Sequence, residues 1–231
     1  MTWIDLGNPR PRLPSEVKRY APVRWPDGER IGLPSLAAMP SHDLVFERCI
    51  VDLTSRRRSA RVFAPLAQDR LGWLLELTNR QLASGSQDLG FPLTQRPAPS
   101  AGAIHPVHLV VQDPALAGWH RYDPVGHALV SVPCALNVVA VRRHMDELIA
   151  APAATLLLLA AEPGKTASKY SDPCSLVWRD AGVLLGYLSL AAEALDLAFV
   201  PLGVTADPWV AGLVDEPGLA GVGAALVGAR T

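Results

Sequence analysis

Four arginines crowd into RRRSARVF, residues 56–63, in a chain with 21 basic and 22 acidic residues and a formal net charge of -1. No global field exists to recruit nucleic acid or an anionic membrane, so any anion site must be local. Three readings of Arg56, Arg57, Arg58 and Arg61 are open. They form a solvated helix end, they touch DNA, or they grip one phosphate monoester with forked guanidiniums while the Ser59 hydroxyl adds a donor. DNA contact calls for a further basic stripe or an aromatic platform, and the sequence offers neither. A second candidate for chemistry is the Lys169-Tyr170 pair. Only three lysines occur, Lys18, Lys165 and Lys169, so a lysine beside a tyrosine carries more information than usual. Read as a bare dipeptide, it is equally a surface lysine followed by a tyrosine filling a pocket. His105 reads either as a proton donor facing a site or as a partner of its own loop backbone. His108, His120 and His127 fall on predicted strands without regular metal spacing, and no metal site is expected.

The elements that must position these groups follow from composition and periodicity. A length of 231 residues suffices for one large domain without metal or disulfide support. Cys49, Cys134 and Cys174 are odd in number, widely spaced and free of CxxC pairing, which points to a reducing cytoplasm. The N-terminus lacks the basic-then-apolar order of a secretory signal. The longest apolar stretch, residues 181–204, carries Glu193 and Asp196, so no membrane span is expected. Residues 1–40, rich in Pro and Arg yet dotted with Trp3, Ile4, Tyr20, Val23, Trp25 and Ile31, read as an extended arm wrapping a core or a partner chain. Residues 41–231 read as the domain proper.

Within that domain a helix is expected from Ser41 through Leu44, Val45, Cys49 and Leu53, and a second over Gln68–Ala83. A loop over 84–106 fits neither template, and loops of that length are more often functional than idle. Strands are expected at 107–112, 155–162, 198–203 and 223–229, a hairpin at 118–132 with its turn at Asp123–Gly126, and an amphipathic helix at 135–150. Residues 180–197 form a helix apolar on nearly every side, which must be buried all round, with a second subunit covering part of it. The sum is an α+β domain with a central, mostly antiparallel sheet flanked by helices.

RRSARVF (57–63), PSAGAIHP (99–106), WHRYDPVGHAL (119–129), Lys169-Tyr170 and DAGVLLGYLSLAAEALDLAFVPLG (180–203), in that order, resemble the FMN-dependent nitroreductase superfamily. Within it they are most similar to the SagB/McbC-type dehydrogenases, which oxidise thiazolines and oxazolines in modified peptides. The resemblance spans roughly residues 42–230. It implies a nitroreductase-like fold in an intertwined homodimer with FMN at the subunit interface. Arg57, Arg58, Ser59 and Arg61 would hold the ribityl phosphate. Pro99, Ser100, Ala101, Gly102 and Ala103 would reach the flavin of the opposite subunit, where small residues fit because only backbone approaches a flat ring closely. Pro201, Leu202 and Gly203 would run along the pyrimidine and N5 edge, and Lys169 and Tyr170 would be catalytic. A lysine takes up a proton only where burial or nearby positive charge lowers its pKa from about 10.4.

The resemblance also admits an NAD(P)H-dependent reductase of nitro, quinone or enone compounds, or a non-catalytic flavoprotein subunit. Partners would be biosynthetic proteins or a peptide substrate. Two positions depart from the pattern: SDPCSLVW follows the Lys-Tyr pair where the oxidases carry glycine and aromatic residues, and Ala103 stands where ordinary nitroreductases commonly have asparagine.

Overall fold

A computed structural model of the chain describes residues 6–39 and 49–231. The helix expected from Ser41 through Leu44 and Val45, together with Trp3 and Ile4, lies outside the described residues.

The continuous apolar runs become neighbours in one sheet. Strand β8 (Thr155–Ala161), buried at every position, lies between β5 (Val107–Gln112) and β11 (Ala220–Ala229). Beyond β11 the sheet ends at β10 (Leu197–Leu202). On the other side it continues through the hairpin β6 (Trp119–Asp123) and β7 (Ala128–Val132) to β2 (Arg30–Gly32). Every one of these pairings is antiparallel.

The two-residue repeat of a strand sends alternate side chains to opposite faces, and both faces are covered. Leu109, Val111, Leu157, Leu159, Ala225 and Val227 share a core with helices α2 (Gln68–Asn79) and α5 (Cys174–Ala194). Val110, Leu156, Leu158, Ala224 and Leu226 share the opposite core with α3 (Val138–Asp146). A leucine fully buried in such a core contributes about 1.5–3 kcal/mol, which is why these central strands read as unbroken apolar runs.

Several expectations need correction. The second helix stops at Asn79 because tertiary bonds capture the following backbone: Gln81 N–H donates to Pro124 O (2.9 Å) and Leu82 N–H to Gln95 O (2.8 Å). The helix expected over 135–150 is confined to α3, started by Asn137, whose side chain accepts from Ala140 N–H. The irregular loop holds a short antiparallel pair, β3 (Ala83–Ser84) with β4 (Thr94–Gln95), too brief for any periodicity to register.

The long helix is not buried all round within one chain. Val177, Ala181, Leu184, Leu188 and Ala192 face the core, whereas Trp178 and Tyr187 are each 40% exposed. No described atom lies within 4 Å of a Cβ built at Gly182 or Gly186. Among the described residues nothing packs on that stripe at Gly182 and Gly186, so there the apolar run that the sequence displays has an uncovered face.

The arm crosses its own chain. Its β1 (Arg10–Pro11) pairs antiparallel with β9 (Tyr170–Ser171), and Arg12 N–H donates to Lys169 O (2.9 Å). Further on, Val23 N–H donates to Glu162 Oε1 (2.5 Å), ahead of β2's entry into the main sheet. Glu162 is fully buried; its other oxygen lies 3.0 Å from His108 Nε2 and 2.9 Å from Lys165 Nζ. Burial alone would raise this carboxyl, but the His108 hydrogen bond and the Lys165 ammonium outweigh it and hold the pKa at about 2. Burial and Lys165 push His108 down to about 3, so it donates as a neutral imidazole. Removing one partner from a buried pair of this kind costs roughly 3–5 kcal/mol, so Glu162 is a strong anchor for the arm.

Candidate functional site

The Lys169-Tyr170 pair sits at the C-terminal end of α4 (Pro163–Lys169), a helix the periodicity does not reveal. Pro163 opens it, at a position where a missing N–H costs nothing. Tyr20 from the arm lies so close that a Cβ at Gly164 would stand 2.2 Å from its ring. Main-chain pairing with β1 fixes the pair from one side. From the other, Tyr170 packs with Ile104, Leu89 and Phe91 in a satellite cluster that also takes in Val17 and Tyr20.

The loop Pro99–Ala103 comes to the same place. Gly102 has φ +64°, and a Cβ there would lie 2.8 Å from Tyr170 Oη and 2.9 Å from Lys169 Nζ. A side chain there would be strained by the dihedral and would displace the tips of Lys169 and Tyr170, so glycine suits the position. Ala103 (φ 59°) and His105 (φ 48°) are also left-handed, a costly conformation for residues with a side chain. Local bonds hold the bend: His105 N–H donates to Ser100 Oγ (2.7 Å), and its Nε2 lies 2.9 Å from Thr94 O. His105 is thus committed to loop backbone, and burial followed by the Arg96 charge pushes its pKa down to about 4, so it is neutral.

Asp180, near the start of α5, is a residue that the residue-by-residue reading passed over. Ala101 N–H donates to its Oδ1 (3.0 Å), while its buried Oδ2 has no partner among the described residues. Its only signal in the sequence is a carboxylate opening an apolar helical run. Burial, only partly offset by the Ala101 hydrogen bond and Arg179, pushes its pKa up from 3.8 to about 6. An acid with a raised folded-state pKa holds its proton more tightly folded than unfolded. Stability therefore declines as pH rises from about 4 to about 6 and is flat above. Asp180→Asn keeps an acceptor for Ala101 and removes the charge, so thermal melts across that interval should lose this component of their pH dependence.

The arginine run lies elsewhere. It leaves α1 (Ile50–Arg56) and meets the outer edge of β10, where Ala60 N–H donates to Phe199 O (2.9 Å), before Ala64 bridges to Ala229 at the end of β11. Arg58, Ala60 and Val62 line a cleft of about 220 Å³ together with Arg56 and Arg230. Arg230 is tied to Glu193 (2.5 Å) and Asp196 (3.3 Å), and Arg56 lies 3.8 Å from both Asp52 and Glu193. Arg57, Ser59 and Arg61 alternate with the cleft-lining residues and do not line it. None of Arg57, Arg58 and Arg61 takes part in an ion pair among the described residues; Arg58 and Arg61 donate only to nearby main-chain carbonyls.

Pro201, Leu202 and Gly203 close β10 along the same edge. Leu197 O and Phe199 O accept from Arg230 and Ala60 on the open side of the strand, so by the two-residue repeat Pro201 faces that side too. A proline there forfeits no ladder bond. Gly203 is exposed, with nothing within 4 Å of a Cβ position.

Strand register sets the distance between the two clusters. Val107, just after the Pro99–Ala103 loop, pairs with Ala161, which pairs with Ala220 at the start of β11; the arginine segment bridges to Ala229 at its end. Ala220 and Ala229 stand at the two ends of β11, roughly 30 Å apart at about 3.3 Å per residue, whereas Pro201 and Leu202, opposite Ala225 and Ala224, lie between those ends. One chain brings together Gly102, Lys169, Tyr170 and Asp180 at one end of the sheet, and separately sets Arg57–Arg61 near the other end, with Pro201–Gly203 further along β10. Among the described residues no group of His, Cys, Asp and Glu is placed to hold a metal, and no helix is long and apolar enough to cross a membrane.

A wholly antiparallel sheet thus lies between two helical layers, with a glycine-bearing loop toward one end and an arginine-rich edge toward the other. Residues 54–224 match the nitroreductase family, and the chain belongs to it, which makes the protein a flavin-binding oxidoreductase. Among solved structures, a nitroreductase-like protein of Ralstonia eutropha is 18% identical with a TM-score of 0.60, over 97% of this chain and 95% of that one. A chain of the E. coli microcin synthetase McbBCD complex, with truncated pro-MccB17 bound, is 19% identical with a TM-score of 0.59, over 77% and 72%. A Desulfovibrio desulfuricans relative solved in complex with FMN is 17% identical with a TM-score of 0.51, over 80% and 88%. No curated protein matches the chain.

Proposed function

We propose that this protein is an FMN-dependent dehydrogenase that oxidises an azoline or related peptide-derived substrate, with each flavin held between two copies of the chain. The observation that carries the reading is the meeting of Gly102 with Lys169 Nζ and Tyr170 Oη, which joins the flavin-contacting loop of the resemblance to its catalytic pair.

The residues present fit FMN. Arg57 and Arg61, in no ion pair among the described residues, and Ser59 offer donors on alternate positions for a dianionic monoester. Three residues further along β10 than Phe199, about 10 Å away, the open edge at Pro201–Gly203 is free to take the ring. Loop residues Pro99–Ala103 would close over that ring from the second chain, which also accounts for the uncovered apolar stripe on α5. The placing of the arginine segment and the Pro99–Ala103 loop toward opposite ends of the sheet is in keeping with a cleft shared between protomers. Bound FMN supplies a hydride acceptor at N5. Lys169 would take the proton from the carbon adjacent to the one losing hydride, with Tyr170 hydrogen-bonding or relaying, and Asp180 would hold the loop that positions both. Residues 1–40 would serve as a clamp on this pair and residues 41–231 as the FMN-binding domain. Fold similarity to a chain of the E. coli microcin synthetase McbBCD complex, solved with truncated pro-MccB17 bound, is in keeping with a peptide-derived substrate.

Rapid mixing separates this from the reductase alternative. Flavin reduction by an azoline peptide, with reoxidation by oxygen and a sluggish response to NAD(P)H, is expected. Fast reduction by NAD(P)H with no response to the azoline would establish the reductase instead, and turnover only with an added partner protein would mark a subunit of a larger complex.

A further inference from the structure

A cleft of about 390 Å³ opens beside the loop at Pro99, Ser100 and Ala103 and is lined also by Ala83 of β3, Thr94 of β4 and the neighbouring Leu93. Arg96 is the only charged residue lining it. Its guanidinium is oriented by two neutral acceptors, Nε donating to Thr94 Oγ1 (3.2 Å) and Nη1 to Asn79 Oδ1 (3.1 Å), and it takes part in no ion pair among the described residues. The nearest acid to influence it, Asp123, is already paired with Arg30. The other titratable neighbours do not neutralise it: His105 is neutral, Tyr122 donates or accepts only with His127, and Arg121 is a second cation. Burial draws Arg96 down to about 10, still a cation near neutral pH.

A half-buried cation without a counter-ion is an expensive arrangement, and an incoming anion would offset it. Apolar walls with one convergent charge describe a ligand site of a particular kind. The forked, fixed geometry of Arg favours a planar partner that accepts two parallel hydrogen bonds. We infer that this cleft binds the carboxylate of a substrate with a compact apolar body, and that Arg96 is its anchor. That the bound molecule is the substrate rests on the reading above, since Ser100 and Ala103 belong to the loop assigned to the flavin. A carboxylate held at Arg96 would orient the rest of the molecule along the loop.

Calorimetric titration of the full-length protein as purified, with benzoate and with benzamide, tests this. Benzoate should bind about tenfold to a hundredfold more tightly than its neutral isostere, the worth of a charge-assisted contact. Arg96→Gln should abolish the preference and Arg96→Lys should retain part of it. Equal binding of the two probes to wild-type protein would overturn the inference without use of any variant, and so would displacement of benzoate by equimolar inorganic phosphate. Flavin content is measured on the same samples. Yellow protein indifferent to benzoate sinks only this site; colourless protein that prefers benzoate sinks only the flavin reading.

Discussion

Replacing Arg57 and Arg61 together with alanine is expected to release FMN from a folded protein, weakening its affinity by roughly a hundredfold to ten-thousandfold. Each guanidinium–phosphate contact is worth about 1.5–3 kcal/mol as a charge-assisted hydrogen bond, and the two effects should nearly add across a dianion. The fold should tolerate the change: Arg61's recorded bond is to Ala60 O, and neither side chain takes part in an ion pair among the described residues. Arg58→Ala should cost much less, because Arg58 turns to the other side of the segment, into the cleft with Arg56 and Arg230. Equilibrium dialysis of FMN against the variants measures both. An Arg58 effect as large as the double replacement would mean that the phosphate lies in that cleft instead.

Lys169→Ala should leave flavin content unchanged and lower substrate oxidation by about 10²–10⁴-fold, the usual worth of a positioned general base. The arm grips this segment through main chain, Arg12 N–H to Lys169 O and the β1–β9 pairing, so truncating the side chain leaves the clamp in place. Tyr170→Phe is the graded companion. The ring keeps its packing with Ile104 and Phe91 while the hydroxyl beside Gly102 is lost, and a smaller loss in turnover is expected. Steady-state kinetics with an azoline peptide reads both variants, and wild-type turnover by Lys169→Ala would remove the pair from the mechanism.

Strands buried on both faces were legible because continuous apolar runs leave little alternative: 107–112 is β5 residue for residue, and the 118–132 hairpin has its turn between Asp123 and Ala128. Helix α4 was invisible because PGKTASK has no apolar periodicity; Pro163 and contacts with the arm make it. The pairing of Arg10 with Ser171 spans most of the chain and leaves no local trace. The Lys-Tyr pair and the small-residue loop were each visible, but not their contact, which depends on a left-handed Gly102 and a carboxylate at Asp180 reaching back to Ala101. Arg96 looked like any loop arginine, since the meaning of its charge lies in the missing counter-ion. The arm, read as wrapping a core or a partner, wraps its own chain and contributes β2 to the main sheet.

The central claim, that guanidiniums along the β10 edge anchor a ribityl phosphate, is tested most directly by the visible spectrum of the purified protein together with identification of the cofactor it releases on denaturation. The account predicts a yellow protein that yields FMN equimolar with the chain. A colourless protein that takes up no added FMN would contradict it and leave the arginine run to be explained as a solvated edge.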